Sequence, residues 1–462
     1  MKYSNEDKCY LARIILEATT PMRIGSGRKS VKTDALINRD VNGLPYIPAT
    51  TLMGLLRHHI ADEATVRRIM GYQEAVEGQG SRLALTEARM LDSNGKPIDG
   101  LHSMKEIEDD AFLSNFSQMP VRQHVRIDGR GTAEHQGKFD EEIIPVGTRF
   151  CFEMELRADD CGEADFRLLL DTLQSQAFRV GGGSRKGFGE IQVVRIGYRK
   201  LDFAQHDDLM AYLGKENRLD CEWDGFTLMP LGKVASPGVI GYELQLSPVD
   251  FVLFASGFGN DAADMTYVRE SHVTGWDSGK AVWTDSERTL VIPASSVKGA
   301  VAHRTAFYYN LLTGHTAELA NAEPAVPNTA VVTLFGSAGT SDGKDRKRGK
   351  VLFSDVVEAL DAPAKGKVMN HVMLDRFTGG AVESALFAEE TLHLQHHQVS
   401  FKVMVERQVL QHPEGALMLR AFEEALKDVC RRRLPLGGGV NRGNGTFEGK
   451  LTKNGETVYE HQ

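Results

Sequence analysis

Apolar residues recur along this chain with two periods, and these predict where helices and strands lie. Two segments, 164–180 (ADFRLLLDTLQSQAFRV) and 417–433 (LMLRAFEEALKDVCRRR), place apolar residues at helical spacing. Each segment runs through a glycine cluster into a predicted strand, EIQVVRIGY in the first case and TFEGKL in the second. The order helix, glycine turn, strand therefore occurs once in each half of the sequence.

Alternation of apolar and polar residues on both sides of a turn predicts a long β-hairpin in each half. The first begins at HVRID, residues 124–128, and returns through FDEEIIPVGTRFCFEMEL. The second begins at HVMLD, residues 371–375, and returns through LFAEETLHLQHHQVSFKVMV. Either hairpin could pack on its own domain or project into a partner nucleic acid, and the pattern leaves both open.

These elements belong to a duplicated unit of four sequence blocks. The first block is LEATTPMRIGSG or LQLSPVDFVLFASG, followed seven residues after its last glycine by D-x4-R-[DE]. The second is YIPATTLMGLLRHH or VIPASSVKGAVAHR, the third is the hairpin, and the fourth is VGGGSRKGFGE or LGGGVNRGNGT. The second copy carries about fifteen extra residues between its first two blocks, including SHVTGWDSGK. Four ordered matches indicate an internal duplication.

The duplication predicts two domains of similar architecture. The halves run from 1 to 198 and from 240 to 462. The polar segment 199–239 is typical of a linker or of a segment at the edge of a domain. Two helices with intervening strands in each half predict an α+β fold of two tandem ferredoxin-like domains with long insertions.

Charge and cysteine usage narrow the class of protein. A net charge of −9 argues against a generally basic nucleic-acid coat, so a polyanion would need local basic patches. Such patches occur at 179–187, 343–350 and 430–443, although each could simply be a solvated face. The five scattered cysteines predict reduced thiols in a cytoplasmic protein, with neither disulfides nor zinc. No apolar run approaches the roughly 18 residues of a membrane span, and the polar N-terminus does not resemble a signal peptide.

The glycine block suits contact with an extended phosphate chain. Dinucleotide and P-loop motifs need strand, turn, then helix, so the order in this chain excludes them. Adjacent glycines followed by a cation allow backbone amides to approach phosphate, whereas a simple helix C-cap would need only one glycine. The candidate phosphate contacts are Gly181, Gly182, Gly183, Ser184, Arg185 and Lys186, and in the second copy Gly437, Gly438, Gly439, Asn441 and Arg442.

The second block predicts a proline-terminated strand followed by a capped helix. Its hydroxyl pairs are candidate N-caps and candidate phosphate contacts, namely Thr50 and Thr51 in the first copy and Ser295 and Ser296 in the second. Lys298 adds a charge where the first copy has Met53, and Arg57, one turn further on, is the candidate to replace that charge.

Asp34 and Asp264 open the two D-x4-R-[DE] patterns, next to Arg39 and Arg269. A loop aspartate is commonly a turn former or a cap. Near phosphate-binding residues, the same carboxylate could hold a divalent cation or orient a ribose 2′-OH for attack on its own phosphate. One aspartate per site provides few carboxylate ligands for a two-metal mechanism.

The order of these blocks resembles the RAMP superfamily of CRISPR RNA-binding proteins, and in particular the backbone subunits of type III effector complexes. The segment GLPYIPATTLMGLLR, the hairpin IDGRGTA or LDRFTGGA and the GGG loop carry the resemblance in both halves. It implies that each half binds guide RNA through its glycine block and its capped helix, with Arg39 and Arg269 as further RNA contacts. The same resemblance implies a thumb-like hairpin in each domain that kinks the guide–target duplex. It also implies that Asp34 and Asp264 are catalytic acids that use Mg²⁺ or another divalent cation. The implied partners are the crRNA guide, complementary target RNA and other effector subunits, including further RAMP backbone proteins. Two fused units resemble the double backbone protein of type III-D-like complexes.

Two other functions remain open at this point. A non-catalytic double-domain subunit would bind or cap the guide without needing the aspartates, although the repeated D-x4-R-[DE] pattern favours cleavage. A stand-alone enzyme that processes guide precursors would need a His/Tyr/Lys acid–base set, for which His58, His59 and His303 are poor candidates. The negative charge predicts weak RNA affinity for the isolated chain.

Overall fold

The computed structural model describes residues 8–31, 33–127, 132–157, 160–232, 234, 236, 238–315, 328–337, 345–394 and 397–461. The first half contains, in chain order, β1 (Lys8–Ala18), α1 (Ala49–His59), α2 (Glu63–Met70), β2 (Tyr72–Gln73), β3 (Gly78–Gln79), β4 (Leu83–Leu85), β5 (Arg89–Met90), α3 (Met104–Asp109), β6 (Val121–Ile127), β7 (Ala133–Glu142), β8 (Arg149–Arg157), α4 (Glu163–Leu173), β9 (Ile191–Asp202), α5 (His206–Leu213) and β10 (Thr227–Leu228).

The second half contains β11 (Val239–Pro248), β12 (Phe251–Val252), β13 (Val273–Thr274), β14 (Val282–Trp283), β15 (Thr289–Ile292), α6 (Ala294–Thr313), α7 (Thr329–Phe335), β16 (Gly336–Ser337), β17 (Lys347–Arg348), β18 (Val351–Phe353), β19 (Val356–Ala359), β20 (Gly366–Leu374), β21 (Ala381–His393), β22 (Val399–Glu406), α8 (Gly415–Cys430), β23 (Phe447–Lys453) and β24 (Glu456–Glu460). None of the helices in the described ranges is long and apolar enough to cross a membrane.

Both halves contain the same antiparallel sheet. In the first half the neighbouring strands are β9, β1, β8 and β4, and α1 and α4 provide the two crossovers. In the second half the corresponding order is β23, β11, β22 and β18, with α6 and α8 as the crossovers. Numbered along the chain, each order is 4-1-3-2 in a βαββαβ unit, which is the ferredoxin-like topology. The predicted fold class of two tandem α+β domains is confirmed.

Each sheet and its two helices enclose a separate hydrophobic core. In the first domain, Leu52 and Leu56 of α1 and Phe166 of α4 are buried against the sheet. In the second domain, Val301 of α6 and Phe422 of α8 occupy the equivalent places. The helix that the sequence predicts over 164–180 ends earlier, at Leu173, because the chain then turns towards the glycine block.

The two predicted hairpins form ribbons separate from the main sheets. β6 pairs with β7, with His124 opposite Phe139, and β20 pairs with β21, with His371 opposite Phe387. The first ribbon ends at Glu142, so the later part of the predicted return segment becomes the central strand β8. The turn of the first hairpin, residues 128–131, lies outside the described residues.

The segment that follows the first domain packs back on its sheet. β9 continues to Asp202, β10 pairs with β9, and Arg13 donates to the carbonyl oxygen of Cys221 at 2.7 Å. The side chain of Arg13 is buried and also bonds Glu153. The described part of 199–239 therefore covers one face of the first sheet, and the domain boundaries at 198 and 240 stay predictions.

The extra residues of the second copy form an interdomain strap, residues 271–285, that lies on the first domain. The indole N–H of Trp276 donates to the carbonyl oxygen of Gly147 at 2.8 Å. The indole of Trp283 donates to the carbonyl oxygen of Phe112 at 2.9 Å and packs on Phe116. The insertion thus adds apolar contacts between the domains.

A buried ion triad completes the junction between the domains. Arg122 of β6 reaches across to Glu270, at 2.5 Å, and to Asp355 of the second domain. All three residues are buried. Although burial alone would lower it, the charges of Asp355 and Glu270 raise the pKa of Arg122, so the guanidinium stays charged. Asp355 also accepts the N–H of Ala294 at 2.8 Å, which connects the triad to the start of α6.

Candidate functional site

Asp34 lies exposed at the base of the first hairpin. Its backbone N–H donates to Oδ1 of Asp140 at 2.7 Å, and the N–H of Asp140 donates to Oδ2 of Asp34 at 3.2 Å. The next residues, Ala35 and Glu141, form a parallel bridge. The aspartate loop is therefore fixed to the last residues of β7 through the carboxylates of both Asp34 and Asp140.

Asp264 occupies the equivalent position in the second domain. Its N–H donates to the carbonyl oxygen of Ala388 at 2.9 Å, and the N–H of Ala388 donates to Oδ2 of Asp264 at 2.8 Å. Met265 and Glu389 form the matching parallel bridge. The insertion in the second copy thus leaves the position of the aspartate unchanged. The two sites differ in one carboxylate, because Ala388 stands where the first domain has Asp140.

Arg39 and Arg269, both predicted to contact RNA, hold the aspartate loops to the hairpins. Arg39 donates to Glu142 at 2.7 Å and to the carbonyl oxygen of Phe116 at 2.6 Å. Arg269 donates to Glu390 at 2.6 Å. The spacing D-x4-R therefore has a structural explanation in both copies, since the Asp and the Arg bind neighbouring residues of the same strand.

A buried glutamate connects each hairpin with its glycine block. Glu141 lies 2.9 Å from Nε2 of His124, 2.5 Å from Nζ of Lys186 and 2.7 Å from Nη1 of Arg23. Although burial alone would raise it, His124 and Lys186 lower the pKa of Glu141 to about 2.

The second domain repeats this connection. Glu389 lies 3.2 Å from Nε2 of His371 and contacts Arg442. These His–Glu–cation groups were not predicted from the sequence. Their signal was present in the third block, where the initial histidine and the paired acids near its end occur in both copies.

The protein's own backbone requires several of the repeated glycines. Gly181 and Gly437 have φ of 88° and 92°, in the left-handed region. A Cβ on Gly181 would lie 2.3 Å from the carbonyl oxygen of Arg23, and one on Gly437 would lie 2.5 Å from that of Leu253. The glycine pattern alone is therefore weak support for phosphate contact. The cations that follow it are the stronger signal.

The predicted helix caps are wrong, because prolines occupy the cap positions. Pro48 and Pro293 are the N-caps of α1 and α6, with φ of −58° and −64°. The hydroxyl pairs lie inside the first helical turn, where they make no cap hydrogen bond. They are nevertheless partly or fully solvent-accessible, namely Thr50, Thr51, Ser295 and Ser296. Some amides of these turns are already bonded within the protein, since the N–H groups of Thr51 and Ser296 donate to the carbonyl oxygens of Pro48 and Pro293 and that of Ala294 donates to Asp355.

The glycine block of the first domain lies against the helix start of the second domain. A Cβ on Gly187 would lie 2.6 Å from that of Ala294. Burial, together with the positive charges of Arg185 and Lys186, lowers the pKa of Lys298 to about 8. Arg185 itself is paired with Glu406. The predicted contacts of the first glycine block and of α6 therefore form one composite basic site across the junction.

The matching parts at the outer ends of the chain are arranged differently. Asn441 and Arg442 follow the second glycine block, where Arg442 pairs with Glu389. Arg57 is exposed in the last turn of α1, about two turns from the helix start, so it cannot replace the missing charge at Met53. The two halves therefore present different basic groups.

The aspartate sites offer hard oxygen donors of the type that Mg²⁺ prefers. Mg²⁺ is commonly held by one or two carboxylates together with substrate phosphates and water. Asp34 and Asp140 fit this requirement in the first domain, and Asp264 supplies a single carboxylate in the second. Among the described residues, no three His, Cys, Asp or Glu side chains come together as a ligand set.

The fold and this site together define a tandem protein of two ferredoxin-like domains, each with a projecting hairpin and a basic glycine block. The sequence model of the RAMP superfamily matches residues 15–192 and 278–448, which is more than half of the chain. The chain therefore belongs to the RAMP superfamily, which assigns it to the RNA-binding subunits of CRISPR systems. No curated protein matches the chain significantly.

Proposed function

We propose that this protein is a cytoplasmic crRNA-binding backbone subunit of a type III, III-D-like CRISPR effector, and that it cleaves complementary target RNA once per domain. The observation that carries this proposal is the repeated placement of an exposed aspartate at the base of a projecting hairpin. In both domains, a buried glutamate connects that base to the cation of the glycine block.

The glycine-block cations and the first turns of α1 and α6 would hold the guide backbone. Lys186 and Arg442 supply positive charge, and the helix starts supply accessible hydroxyl groups. Each hairpin would enter the guide–target duplex and expose a target nucleotide next to Asp34 or Asp264. Base pairing between guide and target would decide which RNA is cut.

The aspartate would then assist an internal transesterification. The 2′-oxygen attacks the adjacent phosphorus, the 2′-OH proton passes to the aspartate or to water, and the bond to the 5′-oxygen breaks, with a proton delivered to that leaving oxygen. A divalent cation held by Asp34 and Asp140, or by Asp264, would supply neutralisation of the phosphate charge when bound. Products with a 2′,3′-cyclic phosphate and a 5′-OH are expected.

A non-catalytic guide-binding function is the second candidate, and one observation favours it. The carboxylates of Asp34 and Asp264 each accept a backbone N–H from the hairpin, and Arg39 and Arg269 pair with hairpin glutamates. The D-x4-R pattern could therefore serve only to hold the aspartate loop to the hairpin, without any cleavage.

The test of the proposal is an assay on the guide-loaded assembly with labelled target RNA and Mg²⁺. Two cuts in complementary RNA and none in a scrambled RNA would support an endoribonuclease. Tight binding of the complementary strand without cuts would favour the guide-binding function. Absence of bound guide RNA in the assembly would contradict both.

The cut made by the first domain is expected to be faster than the cut made by the second. Asp140→Ala should slow the first cut by about 10- to 100-fold, as loss of a supporting carboxylate commonly does. Ala388→Asp should speed the second cut. Single-turnover rates of the two products measure both effects, and Glu134→Ala, on the same strand as Asp140, is the matched control. Unchanged rates in both variants would contradict a role for the second carboxylate.

RNA affinity is expected to fall as the pH rises above about 8. Lys298 has a pKa of about 8 in the free protein, and a bound phosphate would raise that pKa by favouring the charged amine. Binding above pH 8 therefore requires proton uptake, which costs up to about tenfold in affinity per pH unit.

Dissociation constants for guide RNA between pH 7 and 9 measure this dependence. Lys298→Arg should flatten it, because arginine stays charged throughout that range. Lys105→Arg, an exposed substitution on α3, should leave it unchanged. The same pH dependence in all three proteins would contradict a phosphate at Lys298.

A further inference from the structure

The last turn of α1 and the β16–β17 hairpin meet at the domain junction and bring basic residues together. Nη1 of Arg348 contacts the ring nitrogen Nε2 of His58. Arg57 precedes His58 on α1, and Arg346 and Lys347 precede Arg348 along the chain. All five are exposed. The basic patch of 343–350 that the sequence indicates thus continues, from residue 345 on, into the end of a helix from the other domain.

Carboxylates in this region are too few to neutralise the cations. Glu406 pairs with Arg185, lies 3.7 Å from Arg348 and lies 3.2 Å from Lys350. One partly buried carboxylate is therefore shared by three cations. Among the described residues, Asp345, which adjoins Arg346 in the chain, and Glu63, which lies 3.9 Å from Arg57, are further acidic groups near these cations.

Two further observations indicate an unbalanced positive charge. Nε and Nη1 of Arg185 are shielded from solvent and have no hydrogen-bond acceptor within the described ranges. Burial and then the charge of Arg348 lower the pKa of His58, so the ring is a neutral acceptor next to a guanidinium. Burial, Arg348 and Arg179 together lower the pKa of Arg185 despite its pairing with Glu406.

The same field reaches the composite site at the start of α6, because Arg185 also acts on Lys298. The charge of Arg185 therefore acts both on the first glycine block's neighbour Lys298 and on His58 at the end of α1. The chain as a whole has a net charge of −9, so this local group of cations stands out. Such a group suits the phosphodiester backbone of a nucleic acid better than it suits a partner with scattered acidic residues.

We propose that Arg57, His58, Arg346, Lys347 and Arg348, with the partly buried Arg185 beside them, form a junction basic band that binds the phosphodiester backbone of RNA as it crosses from one domain to the next. This assignment of the band depends on the proposed RNA-binding function. It adds an RNA contact outside the glycine blocks and the helix starts. The band recognises the negative charge of the RNA backbone, so the contact does not depend on base sequence.

The experiment is a salt series on the full chain with a labelled single-stranded RNA. The variant R346A/K347A/R348A removes three exposed cations of the band, and R346A/K347A keeps the contact between Arg348 and His58. The matched control K105A/K280A/R420A removes three exposed cations from other elements at the same change in net charge. Fluorescence anisotropy between about 50 and 200 mM salt gives the slope of log affinity against log salt.

The band variant is expected to lose about 2 from the magnitude of that slope, since each phosphate contact on a single strand contributes about 0.7. The double variant should lose about 1.4 by the same relation, and the control should keep the wild-type slope. Equal slopes in the wild type and both band variants would overturn the band, while RNA binding itself would still stand. Failure of the wild type to bind RNA at all would overturn the proposed function along with the band. If the band variant binds RNA normally but loses an acidic subunit from the purified assembly, the surface is a protein interface and the RNA assignment is wrong.

Discussion

Asp34→Asn and Asp264→Asn are each expected to abolish a different cut in complementary RNA while leaving guide binding intact. The asparagine oxygen can still accept the backbone N–H of Asp140 or Ala388, so the loop keeps its clamp. The substitution removes only the charge that a proton acceptor or a cation ligand needs. Loss of a positioned acid–base group commonly costs about 10²- to 10⁴-fold. Single-turnover cleavage by the guide-loaded assembly, with products resolved by length, measures the effect.

The alanine variants separate chemistry from structure. Asp34→Ala removes both the charge and the hydrogen bond, so it should lose the same cut and also loosen the aspartate loop. If the asparagine variant cuts like the wild type and only the alanine variant fails, the aspartate is a clamp. If both variants of both aspartates cut normally, the guide-binding function replaces the cleavage proposal. The double Asp→Asn variant should bind target RNA without cutting it.

The sequence predicted the parts of the fold that local periodicity determines. The order of helix, glycine turn and strand and the two hairpins follow from patterns within short windows, the duplication follows from comparing the two halves, and all are present. The ferredoxin-like sheet follows from that order, because two helices crossing between four strands leave few topologies. The predicted helix caps were wrong because the fixed φ of proline is compatible with the N-cap position. Pro48 and Pro293 therefore occupy that position in place of the hydroxyl residues.

The contacts between the domains could not be predicted in this way. Arg122 and its partners Glu270 and Asp355 are separated by 148 and 233 residues, and no local pattern links them. In the sequence the insertion 271–285 is visible only as extra residues between two blocks, whereas in the structure its tryptophans contact the first domain. The pairing of the first glycine block with α6 follows from the same junction, so the composite basic site was invisible in either half alone.

The structure also changes what the repeated D-x4-R pattern means. From the sequence, its repetition favoured cleavage, because a guide-binding subunit had no evident reason to keep it. The pairing of Arg39 with Glu142 and of Arg269 with Glu390 supplies a structural reason. The feature that distinguishes cleavage from guide binding alone is therefore the exposed charge of the aspartate. That charge is not needed to hold the aspartate loop to the hairpin.

Arg122→Met is expected to destabilise the protein by about 3–5 kcal/mol, because it leaves Glu270 and Asp355 buried without a cation. Methionine fills much of the same volume, and it is the residue that the second hairpin has at the equivalent position, Met369. Urea unfolding followed by tryptophan fluorescence measures the loss, since Trp276 and Trp283 lie at the junction.

Two further variants decide whether the buried charges cause that loss. Arg126→Met, on the same strand but exposed, should change the free energy of unfolding by less than about 1 kcal/mol. The triple variant R122M/E270Q/D355N should recover much of the lost stability, because it removes the uncompensated carboxylates while the amide oxygen introduced by D355N still accepts the N–H of Ala294. A loss below about 1 kcal/mol for Arg122→Met would mean that the triad contributes little and that other contacts, such as the strap and the Arg185–Glu406 pair, hold the domains together. Failure of the triple variant to recover would show that the guanidinium contributes by its contacts and not by its charge.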